Sequence, residues 1–190
     1  MVCNAYDFDK TIYNGDSTLD FYKYCIKKYP KALLALPFAI AGAILYILKL
    51  KSKTNFKELF YRFLRYIPEP EDAVVLFWSG NSKKILSWYL EKKDENDIII
   101  SASPEFLLSP ICDRLGIHHL IASRVDIKTG KYSGENCYGE EKVRRFKNEF
   151  DACVINEFYS DSLSDLPLAR LAQKSFLVEG EARKAWMISQ

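Results

Sequence analysis

Apolar residues follow two rhythms along this chain. Short dense runs stand at 2–6 (Val2-Cys3-Asn4-Ala5-Tyr6), 97–100 (Asp97-Ile98-Ile99-Ile100) and 152–159 (Ala152 through Tyr159), each followed closely by serine or aspartate. Runs rich in β-branched and aromatic residues that stop at polar ones predict strands whose carboxyl ends deliver side chains to loops. Between the first two runs the spacing is helical and predicts helices over 18–29, 32–50, 55–66, about 71–78 and about 83–91. Pro30 closes the first, Asn55 and Glu58 stand like a capping box in the third, and Ser82 is placed to cap the fifth. The expected fold is α/β, three layers around a mainly parallel sheet at 1–16 and 92–190, with a helical block inserted at 17–91. In open parallel sheets, ligands bind beyond the carboxyl ends of the strands.

Length and composition narrow the partners. The 190 residues suit one domain, or a core with an inserted cap. A formal charge of +2 is too small to argue for nucleic acid, and none is expected as a partner. The distribution is more telling: between Phe21 and Lys57 stand eight lysines and no acid. Five cysteines without a C-x-x-C pair argue against a disulfide framework or zinc site. They read as small apolar residues, except Cys137, which is expected to be exposed near Lys142. His118 and His119 are adjacent, so in a strand they face opposite ways and read as structural. No signal peptide precedes the first strand, and a cytoplasmic location is expected. Residues 32–48 are uncharged for seventeen positions, near the lower limit of roughly 17 residues for a membrane span. A single crossing would put the first strand end and the later ones on opposite sides of a bilayer, and Pro37 and Gly42 favour a bent element. Two readings remain: a helix buried by its neighbours, or a monotopic element dipping into one leaflet, with flanking lysines attracted to anionic headgroups.

Candidate chemistry sits at the strand ends. Asp7 and Asp9 in Asp7-Phe8-Asp9-Lys10-Thr11 are two apart, so a strand would point both at one ligand. Paired carboxylates there suit metal-assisted phosphoryl chemistry, one attacking phosphorus and the other handling the leaving group's proton; an acidic turn is the alternative. In Ser101-Ala102-Ser103-Pro104, Ser103 is placed to cap a helix with Pro104 at its first position. The Ser101 hydroxyl and helix N–H groups would then meet a phosphate oxygen, unless this is an ordinary loop. Lys142 falls in the opening turn of a helix after Gly139, where the dipole disfavours a cation, making it a candidate anion ligand or else a solvated surface lysine. In Ser160-Asp161-Ser162-Leu163-Ser164-Asp165, Asp165 can cap the helix starting near Leu166. Asp161 is then free to bind a hard cation with Asp7 and a backbone carbonyl.

Strand-end acid pair, strand-end serine, helix-start lysine and strand-end acid pair, in that order, resemble the haloacid dehalogenase superfamily. Within it the chain is similar to the phosphoserine-phosphatase-like branch (subfamily IB), and in Leu120-Ile121-Ala122-Ser123, Cys137 through Val143 and Tyr159 through Leu168 to proteins like phosphatidylglycerophosphatase C. The resemblance implies a Rossmann-like core with an α-helical cap, and a Mg2+-dependent phosphatase. It implies Asp7 as the nucleophile forming an aspartyl-phosphate and Asp9 as general acid and base. Ser101, Ala102 and Lys142 become phosphate ligands, and Asp7, Asp9 and Asp161 the magnesium site. Thr11, Ser164 and Asp165 support them, Asp165 by positioning the lysine and a serine. Asp9 distinguishes the chain from dehalogenases, which usually lack that acid. Asn14-Gly15-Asp16-Ser17 and Ser101-Ala102-Ser103 depart from the glutamate and glycine-rich motif usual in phosphoserine phosphatases, and Ser164 replaces a frequent asparagine. The expected substrate is a phosphomonoester such as phosphatidylglycerophosphate, the alternatives being a soluble one such as phosphoserine or a noncatalytic binding module. With that likeness, monotopic contact through 27–53 with the inner face of the cell membrane is the preferred reading of the apolar stretch.

Overall fold

The period of two along the strands sorts side chains onto two faces. The computed structural model describes residues 2–188. Strand β1 (Val2–Tyr6) sends Cys3 and Ala5 to one core and Tyr6 to the other, and the next residues keep the alternation, with Phe8 beside Tyr6. After β1 come helices α1 (Ser17–Lys28), α2 (Leu36–Ile47), α3 (Lys53–Phe60), α4 (Pro70–Asn81) and α5 (Ser87–Lys92). Then follow β2 (Ile98–Pro104), α6 (Glu105–Leu115), β3 (His119–Ser123), α7 (Glu140–Glu149), β4 (Val154–Ser160), the single turn α8 (Leu166–Ala169), β5 (Lys174–Glu179) and β6 (Ala182–Ala185). The strands form one sheet in the order β3-β2-β1-β4-β5-β6, parallel throughout except for the β5–β6 pair. The expected α/β class with a mainly parallel sheet is what the chain adopts.

Helices cover both faces. On one, α5 and α6 bring Trp88, Tyr89, Leu107 and Ile111 against Tyr6, Ile99 and Tyr159. On the other, Phe146 of α7 and Leu168 of α8 close over Ala5, Ile98, Ile100 and Phe158. Strands buried on both sides explain why Asp97 runs into an unbroken apolar triplet instead of an alternating pattern. The helices between β1 and β2 extend the first of these cores: Trp78 of α4 packs edge-on against Phe8 and Tyr13, and its indole N–H donates to the Leu107 carbonyl at 2.6 Å.

Several sequence expectations shift by a turn. The helix expected over 32–50 begins as a 3₁₀ segment, Pro30–Ala35, and α2 starts only with Pro37 in its first turn, where a missing N–H costs nothing. The helix expected over 55–66 is α3 followed by a 3₁₀ segment, Tyr61–Tyr66; its capping box pairs Ser52 with Asn55, while Glu58 accepts the Tyr132 N–H at 2.9 Å. Ser82 opens a short 3₁₀ turn without capping it, because Ile85 is drawn into an extended bridge with Tyr13 before α5 begins. Ser103 does not cap α6: β2 runs on through Pro104, so no helix N-terminus follows Ser101 directly. Cys137 is fully buried instead of exposed, its N–H donating to the Ser123 hydroxyl. The stretch 32–48 divides: Ala32 and Ala35 enter the core, whereas Gly42 is the only buried residue of α2, so the buried-helix reading fails there.

Candidate active site

Asp7 continues the β1 alternation onto the α7 side of the sheet, its N–H donating to the Tyr159 carbonyl at 2.9 Å. Opposite it, Gly139 holds a φ of 58° and ψ of −125°, a backbone that suits glycine, and begins α7 so that Lys142 falls in the first turn. Lys142 is 2% exposed, and its ammonium donates to Asp7 Oδ1 and Asp165 Oδ2, each at 2.8 Å. Burial works against that charge, but the two carboxylates outweigh it and raise the lysine's pKa. The Asp7 carboxyl is itself pushed up, because burial and Asp165 act against the pull of Lys142. Asp165 stands just before α8 yet makes no capping bond; its Oδ2 also accepts the Ser160 hydroxyl at 2.8 Å. The expected cap is therefore an anchor for the lysine, since a buried cation demands a carboxylate more strongly than one short helix demands a cap.

Asp9 lies across the same cavity in different company. The chain reverses after it through Lys10, whose φ is 56°. Its carboxylate accepts the Ser17 N–H at 2.6 Å and the Ser103 hydroxyl at 2.5 Å. Burial and the neighbouring Asp16 push its pKa up to about 6 despite those two donors. Burial pushes both carboxyls up, Asp7 to about 7 and Asp9 to about 6; what separates the two acids is their company, a lysine ammonium on Asp7 and two neutral donors on Asp9.

A cavity of about 410 Å³ gathers the expected residues: Asp7, Asp9, Ser101, Ala102, Lys142, Asp161, Ser164 and Asp165 all line it. Thr11 lies behind the wall, where its hydroxyl oxygen accepts the Asp161 N–H at 3.0 Å and so fixes that loop. Ser101 is buried and its hydroxyl accepts the Ser103 N–H, while the Ser164 hydroxyl shares a 2.7 Å hydrogen bond with that of Ser162. Asp161 faces the cavity with its pKa raised by burial against the attraction of Lys10. Among the described residues no three His, Cys, Asp or Glu side chains cluster as a metal site. The set expected for magnesium, Asp7, Asp9 and Asp161, lines one cavity and offers only hard oxygen donors, which suit such an ion with a backbone carbonyl and water completing the shell.

The sequence did not point to several residues of this cavity. Ser103 was expected to cap a helix and instead binds Asp9. Lys57 reaches the wall from α3, donating to the Ala102 carbonyl at 2.8 Å and to Asn136 Oδ1 at 2.9 Å; burial and nearby Lys53 bring its pKa down to about 8. Lys53, Phe56, Lys57 and Phe60 line the cavity together, and Lys53 lies 3.3 Å from the centroid of the Tyr138 ring. Their i, i+3, i+4, i+7 spacing was the available signal, but lysines on such a face ordinarily read as solvated.

The family profile for haloacid dehalogenase-like hydrolases matches residues 5–170. The chain belongs to this family. Among curated relatives of the hydrolase, a probable phosphatase of Mycobacterium tuberculosis is 36% identical over 81 residues, 37% of this chain and only 27% of that protein, so the match spans about a quarter of the relative's length. A histidinol-phosphatase of Neisseria meningitidis is 25% identical over 93% of this chain and 90% of its own. Among solved structures, a Bordetella pertussis protein of unknown function matches the hydrolase with a TM-score of 0.73 at 18% identity, over 92% and 88% of the two chains. A phosphoserine phosphohydrolase-like protein of Francisella tularensis gives 0.57 at 17%, over 92% and 86%. At such identities the likeness to these structures is one of fold.

Proposed function

We propose that this hydrolase is a phosphatase that cleaves phosphomonoesters through an aspartyl-phosphate on Asp7. The observation that carries the reading is the contrast in partners between its two buried acids: Asp7 bonded to the Lys142 ammonium, and Asp9 held by the Ser17 N–H and the Ser103 hydroxyl. Lys142 occupies Oδ1 of Asp7, and attack on phosphorus falls to Oδ2. As the new O–P bond forms, the bond to the leaving oxygen breaks and Asp9 gives that oxygen its proton. Asp9 then takes a proton from water, whose oxygen displaces Asp7 from phosphorus and frees inorganic phosphate. Lys142 and the Ser101 hydroxyl would hold the equatorial oxygens, with Ser103 orienting Asp9. Magnesium held by Asp7, Asp161 and the Asp9 carbonyl would offset the charge between the carboxylates and the phosphate. Residues 17–91 act in this reading as a cap, supplying Leu19, Lys53, Phe56, Lys57 and Phe60 to the cavity wall.

The phosphatase names of the two curated relatives support the reaction class. For the substrate, the apolar part of that wall favours an amphiphilic phosphate such as phosphatidylglycerophosphate over phosphoserine. A phosphate-release panel with and without EDTA tests both points. It should contain p-nitrophenyl phosphate, phosphoserine, histidinol phosphate and a micellar phosphatidyl phosphomonoester. Magnesium-dependent release, greatest on the micellar substrate and absent in Asp7→Asn, is the expected result; equal release by Asp7→Asn would overturn the mechanism.

A further inference from the structure

Helix α2 carries no charge over its twelve residues, and it faces outward. Ile40 and Ile44 are about half exposed (53% and 51%), Leu34 is 61% exposed and Ile47 75%. Soluble monomers seldom leave so continuous an apolar surface in water. What frames this face is equally one-sided. Exposed lysines precede it (Lys27, Lys28, Lys31) and follow it (Lys49, Lys51), Arg62 stacks 3.8 Å from the Phe38 ring centroid, and no acid occurs between Phe21 and Lys57.

We propose that this face docks on an anionic lipid surface and holds the catalytic cavity beside it, so that the substrate is a phosphomonoester anchored in the bilayer. A second copy of the chain is a poor occupant, because an isologous contact would press the same lysines together with no acid among them. A crossing does not fit either. By length and composition the helical stretch Pro30–Ile47 could span a bilayer, but only its second part, α2, lies outside the domain core. Ala32 and Ala35 just before it stay packed in the domain core. The helix can lie in one leaflet's interface, its apolar face sunk among the acyl chains and the lysines level with the headgroups.

The face and the cavity share a wall. The buried Gly42 of α2 packs against Leu59 and Phe56 of α3, and Tyr46 stacks on Phe56 at 5.8 Å between ring centroids. Phe56 also lines the cavity, together with Lys53, Lys57 and Phe60 from the same helix. A lipid headgroup beside α2 is thus one helix away from Asp7, with two lysines in the wall between to attract its phosphate. The assignment of a lipid substrate rests on the phosphatase reading; the docking does not.

Flotation of the full chain with vesicles separates the two. Asp7→Asn protein in EDTA should float with vesicles of phosphatidylcholine and phosphatidylglycerol in equal parts, bind pure phosphatidylcholine vesicles at least ten-fold less, and detach in part at 0.5 M salt as screening shortens the reach of the lysines to roughly 4 Å. Ile40→Glu/Ile44→Glu should abolish binding with an unchanged circular dichroism spectrum, and replacing Lys27, Lys28, Lys49 and Lys51 with glutamine should weaken it by up to about five-fold per lysine. In otherwise wild-type protein, both variants should hydrolyse p-nitrophenyl phosphate as before and lose activity on vesicle-borne phosphomonoester. No flotation, equal binding to neutral vesicles, or a dimer dispersed by Ile40→Glu/Ile44→Glu in place of vesicle binding would each overturn the docking. Flotation with no preference for lipid-borne over soluble phosphate would overturn the substrate assignment alone, and flotation with no hydrolysis of any ester would place the failure in the phosphatase reading.

Discussion

Lys142 is the residue at which stability and chemistry can be told apart. Replacing it with methionine keeps most of the side-chain volume but leaves Asp7 and Asp165, which now share its ammonium at 2.8 Å each, facing one another without a cation. Breaking a buried pair in this way costs about 3–5 kcal/mol. For a chain of this size that lowers the melting temperature by roughly 6–20 °C. The loss should depend on pH with a definite sign. In the variant Asp7 loses the lysine that pulls its pKa down while burial still pushes it up, so the folded chain binds more protons than the unfolded one and its stability falls as pH rises from about 4 toward neutrality. Below that range the Asp7 carboxyl is protonated in either state, and the variant should approach the wild type. Lys142→Met/Asp165→Asn removes one of the facing charges and should recover part of the stability without recovering turnover, because the ligand for phosphate remains missing. Urea unfolding at pH 4 and pH 7.5, read by circular dichroism beside p-nitrophenyl phosphate hydrolysis, measures all three quantities. A single variant within about 1 kcal/mol of wild type at pH 7.5, well under the cost of an unpaired buried charge, would refute this account of the buried triad.

Three further expectations are simpler. Asp7→Asn should fold and lose turnover, whereas Asp9→Asn, which loses proton transfer worth roughly 10²–10⁴-fold, should be partly rescued by aryl phosphates with good leaving groups; equal losses on good and poor leaving groups would remove Asp9 from the acid role. EDTA should stop hydrolysis and magnesium restore it, with Asp161→Ala raising the magnesium concentration needed; activity of metal-free protein would contradict the oxygen-ligand site. Gly130→Ala should destabilise clearly, since its Cβ would stand 2.6 Å from the Tyr61 carbonyl oxygen at a φ of +74°, while Gly80→Ala in α4, with nothing within 4 Å, should be neutral or stabilising by up to about 1 kcal/mol; comparable melting temperatures would show that the Tyr61 segment yields.

Local chemistry made much of this protein legible. The strand runs before Asp7, Ser101 and Asp161 needed only side-chain period and composition, and the order of the acids, serine and lysine was enough to name the family. The uncharged stretch with its lysines was equally visible, because neither charge nor hydropathy depends on neighbours distant in sequence. Strands β5 and β6 were not visible. The triplet Phe176-Leu177-Val178 is apolar but leads to no serine or aspartate that would mark a site, and Ala182–Ala185 carries no apolar run and is exposed at the sheet's antiparallel edge.

Tertiary structure alone decided which partner each polar group chose. Ser103 and Asp165 both stood where a helix cap was plausible, and a cap is a weak local bond that yields to a buried charge seeking a donor or a cation. Asp9 claimed the first and Lys142 the second, across 94 and 23 residues of chain. Lys57 looked like one more solvated lysine until the fold turned its side of α3 toward the cavity. The residues at 32–48 could equally have been covered or left bare by their own pattern. Only the packing of α3 against one side of α2, with nothing in the described chain laid over the other, decided that the helix meets its surroundings. A sequence states what a side chain can bond with, and the fold determines which of those partners comes within reach.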